Sequence, residues 1–248
     1  MTRQVLIDLG NTRWKMATAS HGLIGPVRQG SYAEPGTFSA ALAEISGGAV
    51  GALLASVVDR DRTEALLALT RDVTGRTVRR VLADDPVPGI RSGYRNPAQL
   101  GVDRLLAMVA ARARCSGPLC VVDAGSAVTV DFVDAEGQHL GGFILPGQRL
   151  ARECLLARTS IPDQAEVERG ARLGRDTATA VAMGALQAVA GIIERFVCGR
   201  DALFAHGATV FLGGGDAGDL APLMPVPCEQ VEHLVLSGLA VVATAEAS

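Results

Sequence analysis

The sequence predicts an α/β protein in which one structural unit is used twice. Three observations carry this expectation. A short motif recurs: Leu6–Thr12 reads L-I-D-L-G-N-T and Val121–Ala127 reads V-V-D-A-G-S-A, each an apolar run ending in Asp, then a small or apolar residue, Gly and a short polar residue. The two aspartates, Asp8 and Asp123, lie almost half of the 248-residue chain apart. Strand-like and helix-like segments alternate, and a hairpin-like pair of strands opens each half, which favours layers of helix and sheet.

The elements follow in order. Val5–Leu9 is a buried-type strand and Trp14–Ala19 its return strand, so Gly10–Arg13 is a hairpin turn. Ser39–Ile45 has helical spacing, Val50–Val58 reads as a strand apolar on both faces, Arg62–Thr70 is helical and Arg76–Leu82 is another strand. Asp84–Tyr94 carries Pro86, Pro88, Gly89 and Gly93 and is a loop. A helix is expected from Asn96 as cap and Pro97 as first residue to about Ala113, because a proline at the first helical position loses no hydrogen bond. Ser116–Pro118 ends it, and the domain boundary is placed there, giving domains 1–116 and 117–248. The second half repeats the plan with strands Leu119–Asp123, Val128–Val133 and Leu140–Leu145 and a turn at Asp134–Gly137. Helices are expected at about Leu150–Ala157 and Thr177–Val197, the latter capped by Asp176. Thr209–Leu212 is a strand entering Gly213–Gly215, and Val231–Ala245 is a closing helix.

Composition narrows the function classes. Apolar residues make up 48% and charged residues 20%, which suits a globular chain with a substantial core. The net charge of −3 supplies no field toward nucleic acid or anionic membrane, so neither is expected as a partner. Cys115, Cys120, Cys154, Cys198 and Cys228 are an odd, scattered set without C-x-x-C spacing, expected as buried thiols of a cytoplasmic protein rather than disulfides or zinc ligands. Met1–Ile7 enters a strand at once without a signal-peptide core, and apolar stretches such as Leu234–Ala245 fall short of a membrane span.

The chemistry-bearing residues cluster in a few places. In the first turn, Gly10 permits close backbone approach, Asn11 and Thr12 add donors and Lys15, the only lysine, adds a charge. That set suits phosphate oxygens, and Asp8 suits Mg²⁺ held through water. The same turn also serves a plain hairpin. There is no G-x-x-x-x-G-K-[ST] P-loop. Asp103 and Arg104 lie in N-P-A-Q-L-G-V-D-R, Asn96–Arg104. An acid near a helix N-terminus is ordinary dipole chemistry, but Gly101 inside a helix costs about 1 kcal/mol, which points to a close approach there. A carboxylate at such a gap can accept a hydroxyl proton beside a guanidinium that steadies phosphate charge. Asp123, Gly125 and Ser126 repeat the first turn, while Asp131 and Asp134 are expected as solvated hairpin residues. Gly141, Gly142, Pro146 and Gly147 bracket what reads as a buried strand. Thr177, in G-R-D-T at Gly174–Thr177, opens a helix whose free N–H groups suit a carboxylate ligand. His21, His139, His206 and His233 have no metal-type spacing.

Together these motifs resemble the type III pantothenate kinases, of the actin/Hsp70/sugar-kinase superfamily. The resemblance rests on Asp8–Lys15 (D-L-G-N-T-R-W-K), Gly101–Arg104 (G-V-D-R), Asp123–Thr129 (D-A-G-S-A-V-T), Gly141–Gly147 (G-G-F-I-L-P-G) and Gly174–Thr177, with Gly213–Gly215 extending it. It implies a duplicated ribonuclease H-like, actin-like ATPase fold of two similar domains around a central cleft. It also implies ATP-dependent phosphorylation of the pantothenate hydroxyl, the first step of coenzyme A biosynthesis, by a cytoplasmic homodimer. By family pattern, Asp8, Leu9, Gly10, Asn11, Thr12, Arg13, Trp14 and Lys15 line the ATP phosphates and Ser126 touches ATP. Asp103 is the proton acceptor with Arg104 beside it, and Tyr94, Gly101, Val102, Asp103, Arg104 and Thr177 contact pantothenate. Asp123 matches the ligand of a monovalent cation, K⁺ or NH₄⁺, and Mg²⁺ accompanies ATP. Ser126 stands where the family usually has Thr, keeping the hydroxyl and losing the methyl. The residues alone leave open a related kinase for a sugar or another small hydroxy acid, or a nucleotide-sensing regulator without turnover.

Overall fold

A computed structural model describes residues 3–161, 167–168 and 170–247, so Met1 and Thr2 of the expected opening strand lie outside it. The chain divides into two compact units, Met1–Arg114 with His233–Ser248, and Cys115–Glu232.

The first unit begins with β1 (Gln4–Leu9) and β2 (Arg13–Ser20), antiparallel, with Leu9 opposite Trp14 and Asp8 opposite Lys15. Two short strands follow, β3 (Leu23–Ile24) and β4 (Arg28–Ser31), both paired with β2. Helix α1 (Thr37–Ile45) leads to β5 (Gly51–Ser56), parallel to β1, and α2 (Arg60–Thr74) leads to β6 (Val78–Arg80), parallel to β5. Side chains alternate along a strand. Val5, Ile7 and Leu9 therefore share one face with Trp14 and Met16, and that face is buried with Phe38 and Leu42 of α1 and Leu67 of α2.

The expected helix from Pro97 to Ala113 breaks in two. Pro97–Gln99 is a single 3₁₀ turn capped by Asn96, whose side chain accepts from the Ala98 N–H at 3.2 Å. Leu100 and Gly101 are extended, and α3 (Val102–Arg112) starts afresh with Gly101 as its N-cap. Leu100 is buried, so the chain turns to bring this side chain inward rather than continuing the helix.

The second unit carries β7 (Leu119–Ala124) and β8 (Ala127–Val133), antiparallel, then β9 (His139–Pro146) paired with β8. After α4 (Gln148–Arg158) and α5 (Thr177–Ile193) come β10 (Thr209–Gly213), parallel to β7, a one-turn α6 (Ala217–Leu220) and β11 (Cys228–Gln230), parallel to β10. Among the described residues the sheet paths are β3-β2-β1-β5-β6 and β11-β10-β7-β8-β9, with β4 also on β2. Read from the motif strand outward, both units have the same plan: an antiparallel neighbour on one side, two parallel strands on the other. The repeated motif ends β1 in one sheet and β7 in the other.

Four expectations are corrected. The closing helix α7 (Leu234–Glu246) belongs to the first unit, not to a domain running from 117 to 248. It packs along α3 and β1, and a methyl placed on Gly238 would stand 2.1 Å from the Leu106 carbonyl oxygen. An all-apolar helix buries itself against whatever sheet face lacks cover, and its sequence does not name that face. Asp131 is not a solvated turn residue. It lies in β8, and its Oδ1 meets His139 Nε2 at 2.9 Å, both side chains buried. Asp134 alone makes the turn, accepting from the Gln138 N–H at 2.7 Å. β9 is an edge strand with Leu140, Phe143 and Ile144 exposed, not a buried one. Of the cysteines only Cys120 is buried, Cys154 and Cys198 are exposed, and all are free thiols.

The helical run Thr177–Cys198, in which α5 continues into a π-type turn, is long and apolar enough to cross a membrane, contrary to the expectation that no stretch qualifies. Met183, Leu186, Val189, Ile193 and Val197 nevertheless form one core cluster with β7, β8 and β10, which makes it the core helix of the second unit.

Candidate active site

The first turn is built by strand register. Leu9 and Trp14 face the core, Trp14 edge-on to Phe38 with ring centroids 5.6 Å apart, so their side chains point away from the exposed tip. The same alternation puts Asp8 and Lys15, a cross-strand pair, on the opposite face. Asp8 is itself buried at the strand end, while Asn11, Thr12 and Arg13 are exposed at the tip. The Gly10 N–H donates to the Arg13 carbonyl at 3.1 Å and closes the turn. The Gly10 carbonyl accepts from the Tyr32 hydroxyl at 2.9 Å, a contact no sequence reading anticipated.

The break before α3 gathers a second group in the same unit. The Asp103 carboxylate accepts from the Arg104 N–H at 2.8 Å, in the first turn of α3, where the helix dipole favours negative charge. A methyl on Gly101 would stand 2.4 Å from Asp103 Oδ1. The glycine stands not inside a helix as expected but at its cap, where a side chain would displace the carboxylate. Arg104 is buried, donates to the Tyr94 hydroxyl at 2.5 Å and lies over the Tyr94 ring at 5.4 Å. Tyr94, Gly101, Asp103 and Arg104 therefore form one cluster. Val102 is buried and adds packing rather than a polar contact.

In the second unit Asp123 lies half-buried one residue before the end of β7, and Ser126 is exposed on the turn that follows. Two glycines hold this turn from below. The Gly147 N–H donates to the Ser126 carbonyl at 3.0 Å, and a methyl on Gly147 would stand 2.3 Å from the Gly125 carbonyl oxygen. Gly214 has a positive φ of 94°, and a methyl there would stand 2.3 Å from the Ala124 carbonyl oxygen. The Asp216 N–H donates to that same oxygen at 2.9 Å. Gly213–Gly218 has G-x-G-x-x-G spacing between β10 and α6, contrary to the expectation that the chain lacks such a turn. The helix it enters, α6, has only four residues, too short for a helix-terminus phosphate site.

Thr177 lies elsewhere in that unit. It lines an open groove of about 730 Å³ between α4 and α5, with Leu155, Ile161, Gly174, Arg175 and Val181. The groove does not include Asp123 or Ser126. Asp176 caps α5, accepting from the Thr179 N–H at 2.8 Å and the Thr179 hydroxyl at 2.7 Å, and these bonds hold its carboxyl below the usual range. Gly174 crosses the first turn of α5 so closely that a methyl would meet the Ala180 nitrogen at 2.2 Å.

Among the described residues no three His, Cys, Asp or Glu side chains gather as a metal cage. A lone carboxylate at a phosphate-type turn is nevertheless the donor set Mg²⁺ uses, since that ion keeps waters and binds substrate phosphates rather than protein cages. Asp8 places such a carboxylate beside the first glycine turn, and Asp123 holds the matching position beside the second.

Two mixed sheets of one plan, each ending its central strand in an Asp-x-Gly turn, define a protein of the duplicated actin-like ATPase fold. Solved structures bear out that class. Over 98% of both chains, a Campylobacter jejuni protein described as a conserved putative Baf family transcriptional activator superposes with a TM-score of 0.62 at 18% identity. MreB5 of Spiroplasma citri, bound to AMPPNP, superposes with a TM-score of 0.53 at 10% identity, over 100% of this chain and 97% of its own. The family is given by sequence: residues 4–198 match the model for type III pantothenate kinase. Type III pantothenate kinases of Azoarcus sp. (strain BH72) and Chromobacterium violaceum are 36% and 38% identical, over 98% and 97% of this chain and 92% and 99% of theirs. This chain belongs to the type III pantothenate kinase family.

Proposed function

We propose that this enzyme transfers the γ-phosphoryl group of ATP to the primary hydroxyl of pantothenate, giving 4′-phosphopantothenate, the first step of coenzyme A biosynthesis. The observation that carries the reading, beside family membership, is the Asp103–Arg104–Tyr94 cluster at the start of α3, with Gly101 clearing space for the carboxylate.

Phosphoryl transfer proceeds through a loose transition state, so positioning and charge stabilisation supply most of the rate. The Gly10–Thr12 turn and Lys15 would hold phosphate oxygens, and Asp8 would hold Mg²⁺ through water. Asp123 would hold K⁺ or NH₄⁺, with Ser126 against the nucleotide. Bound Mg²⁺ neutralises triphosphate charge. A carboxylate is far too weak a base to ionise an alcohol beforehand. Asp103 therefore orients the hydroxyl and accepts its proton late, while Arg104, fixed by Tyr94, faces developing charge. Thr177 and the α5 N-terminus suit the carboxylate end of pantothenate.

A homodimer fits the second unit, which exposes Leu140, Phe143 and Ile144 on β9 and Leu150 and Leu155 on α4, apolar side chains that a partner subunit would cover. A cytoplasmic enzyme fits the free thiols. The test is mass spectrometry of pantothenate incubated with enzyme, Mg²⁺ and ATP, with and without K⁺. A gain of one phosphoryl group that needs ATP and rises with K⁺ is expected. No gain with pantothenate, or an equal gain on a panel of sugars, overturns the assignment.

A further inference from the structure

The segment after β4 delivers a phenol to the first turn. Strand β4 lies tight on β2: Gly30 pairs with Trp14, and a methyl on Gly30 would stand 2.3 Å from the indole ring. The strand ends at Ser31, and the next residue, Tyr32, reaches back across 22 positions to donate its hydroxyl to the Gly10 carbonyl at 2.9 Å. The other side of the ring is held as well. The Arg62 guanidinium, from the first turn of α2, lies 5.0 Å over its centroid. Burial pushes the phenol well above its ordinary range, the Asp8 carboxylate adds to this and Arg62 opposes it, so the hydroxyl stays a donor at any working pH.

The consequence follows from peptide geometry. In a trans peptide the N–H points opposite to the C=O of the same unit. The Gly10 carbonyl and the Asn11 N–H belong to one peptide. Gly10 has no side chain to restrict that peptide, so without an anchor the unit is free to rotate. Fixing the carbonyl on Tyr32 aims the Asn11 N–H to the other, exposed side of the turn. The Gly10 N–H is already committed to Arg13. Tyr32 therefore sets the direction of a backbone donor at the exposed tip.

We propose that Tyr32 is a positioning residue for the nucleotide: by holding the Gly10–Asn11 peptide it preorganises the first turn to receive phosphate oxygens of ATP. This rests on the reading that the first turn takes those phosphates. The test is Tyr32→Phe, which keeps the ring, the stacking with Arg62 and the packing, and removes only the hydroxyl. Calorimetric titration would measure binding of the non-hydrolysable analogue AMPPNP with Mg²⁺, and separately of pantothenate, beside melting curves of both proteins. The loss of one net hydrogen bond predicts about a five-fold rise in the AMPPNP Kd, with pantothenate binding unchanged and a cooperative melt retained. Unchanged AMPPNP affinity overturns the proposal. So does an equal weakening of both ligands, or a variant that fails to fold, since each would make Tyr32 a general structural residue. A wild-type enzyme that binds AMPPNP without phosphorylating pantothenate would defeat the kinase assignment and leave Tyr32 decided by the same titration. A wild-type enzyme that binds no AMPPNP would defeat both.

Discussion

Asp103 is set by its neighbours more than by its own identity. Its carboxylate is tied to the Arg104 N–H, and Gly101 leaves the space it occupies. Asp103→Asn keeps this shape and removes the proposed proton acceptor. We expect kcat to fall about 100-fold or more with AMPPNP binding retained, measured by steady-state kinetics and titration; near-normal turnover would remove Asp103 from the chemistry. The cluster was legible because a glycine two residues before an acid already pointed to a close approach. Its location was misjudged: Gly101 caps α3 after a 3₁₀ turn and does not sit within a longer helix. Asp131 shows the opposite failure. In sequence it looks like any turn aspartate, and only the pairing of β8 with β9 brings His139 to it.

At the level of elements, two junctions shape the turns of the second unit. Gly147 lies under the Gly125–Ser126 turn with no room for a methyl. Its backbone is extended, at φ −66°, so alanine there is strained by contact alone. Gly147→Ala should shift the turn, and displacement on the ångström scale lowers kcat/KM for ATP by about ten- to a hundred-fold. An unchanged value with a crystal structure showing the turn in place would refute this. The start of α5 gives a pH prediction. Asp176 has a folded-state pKa below its ordinary 3.8, so its cap stabilises fully above that value. The contribution is lost as pH falls through the lowered folded value. Asp176→Asn keeps an acceptor and cannot titrate, so melting temperatures followed from pH 5 downward should decline less steeply than in the wild type; parallel declines would show that the cap is not linked to folding. The helix start was readable from G-R-D-T. Strand β4, R-Q-G-S, was not, because it has no apolar alternation and exists only through its pairing with β2. Tyr32 was missed with it.

For the molecule as a whole, the last helix decides the division of the chain. α7 crosses α3 with Gly238 against the Leu106 carbonyl, so Gly238→Ala must push the two helices apart. Overpacking of this kind costs about 1–3 kcal/mol, which calorimetry should register as a melting temperature lower by several degrees. An unaltered melt would mean the crossing is loose. The sequence by itself determined the duplication, the strands that carry Asp8 and Asp123, and the family, because a motif used twice and a set of spaced short motifs are local facts of the chain. Tertiary structure alone decided which sheet α7 covers, that Leu9 and Trp14 serve the core, that β9 lies at an edge, and that Tyr32 reaches Gly10. Those outcomes depend on burial and on contacts between residues far apart in sequence, and apolar pattern fixes how much surface must be buried without naming the partner that buries it.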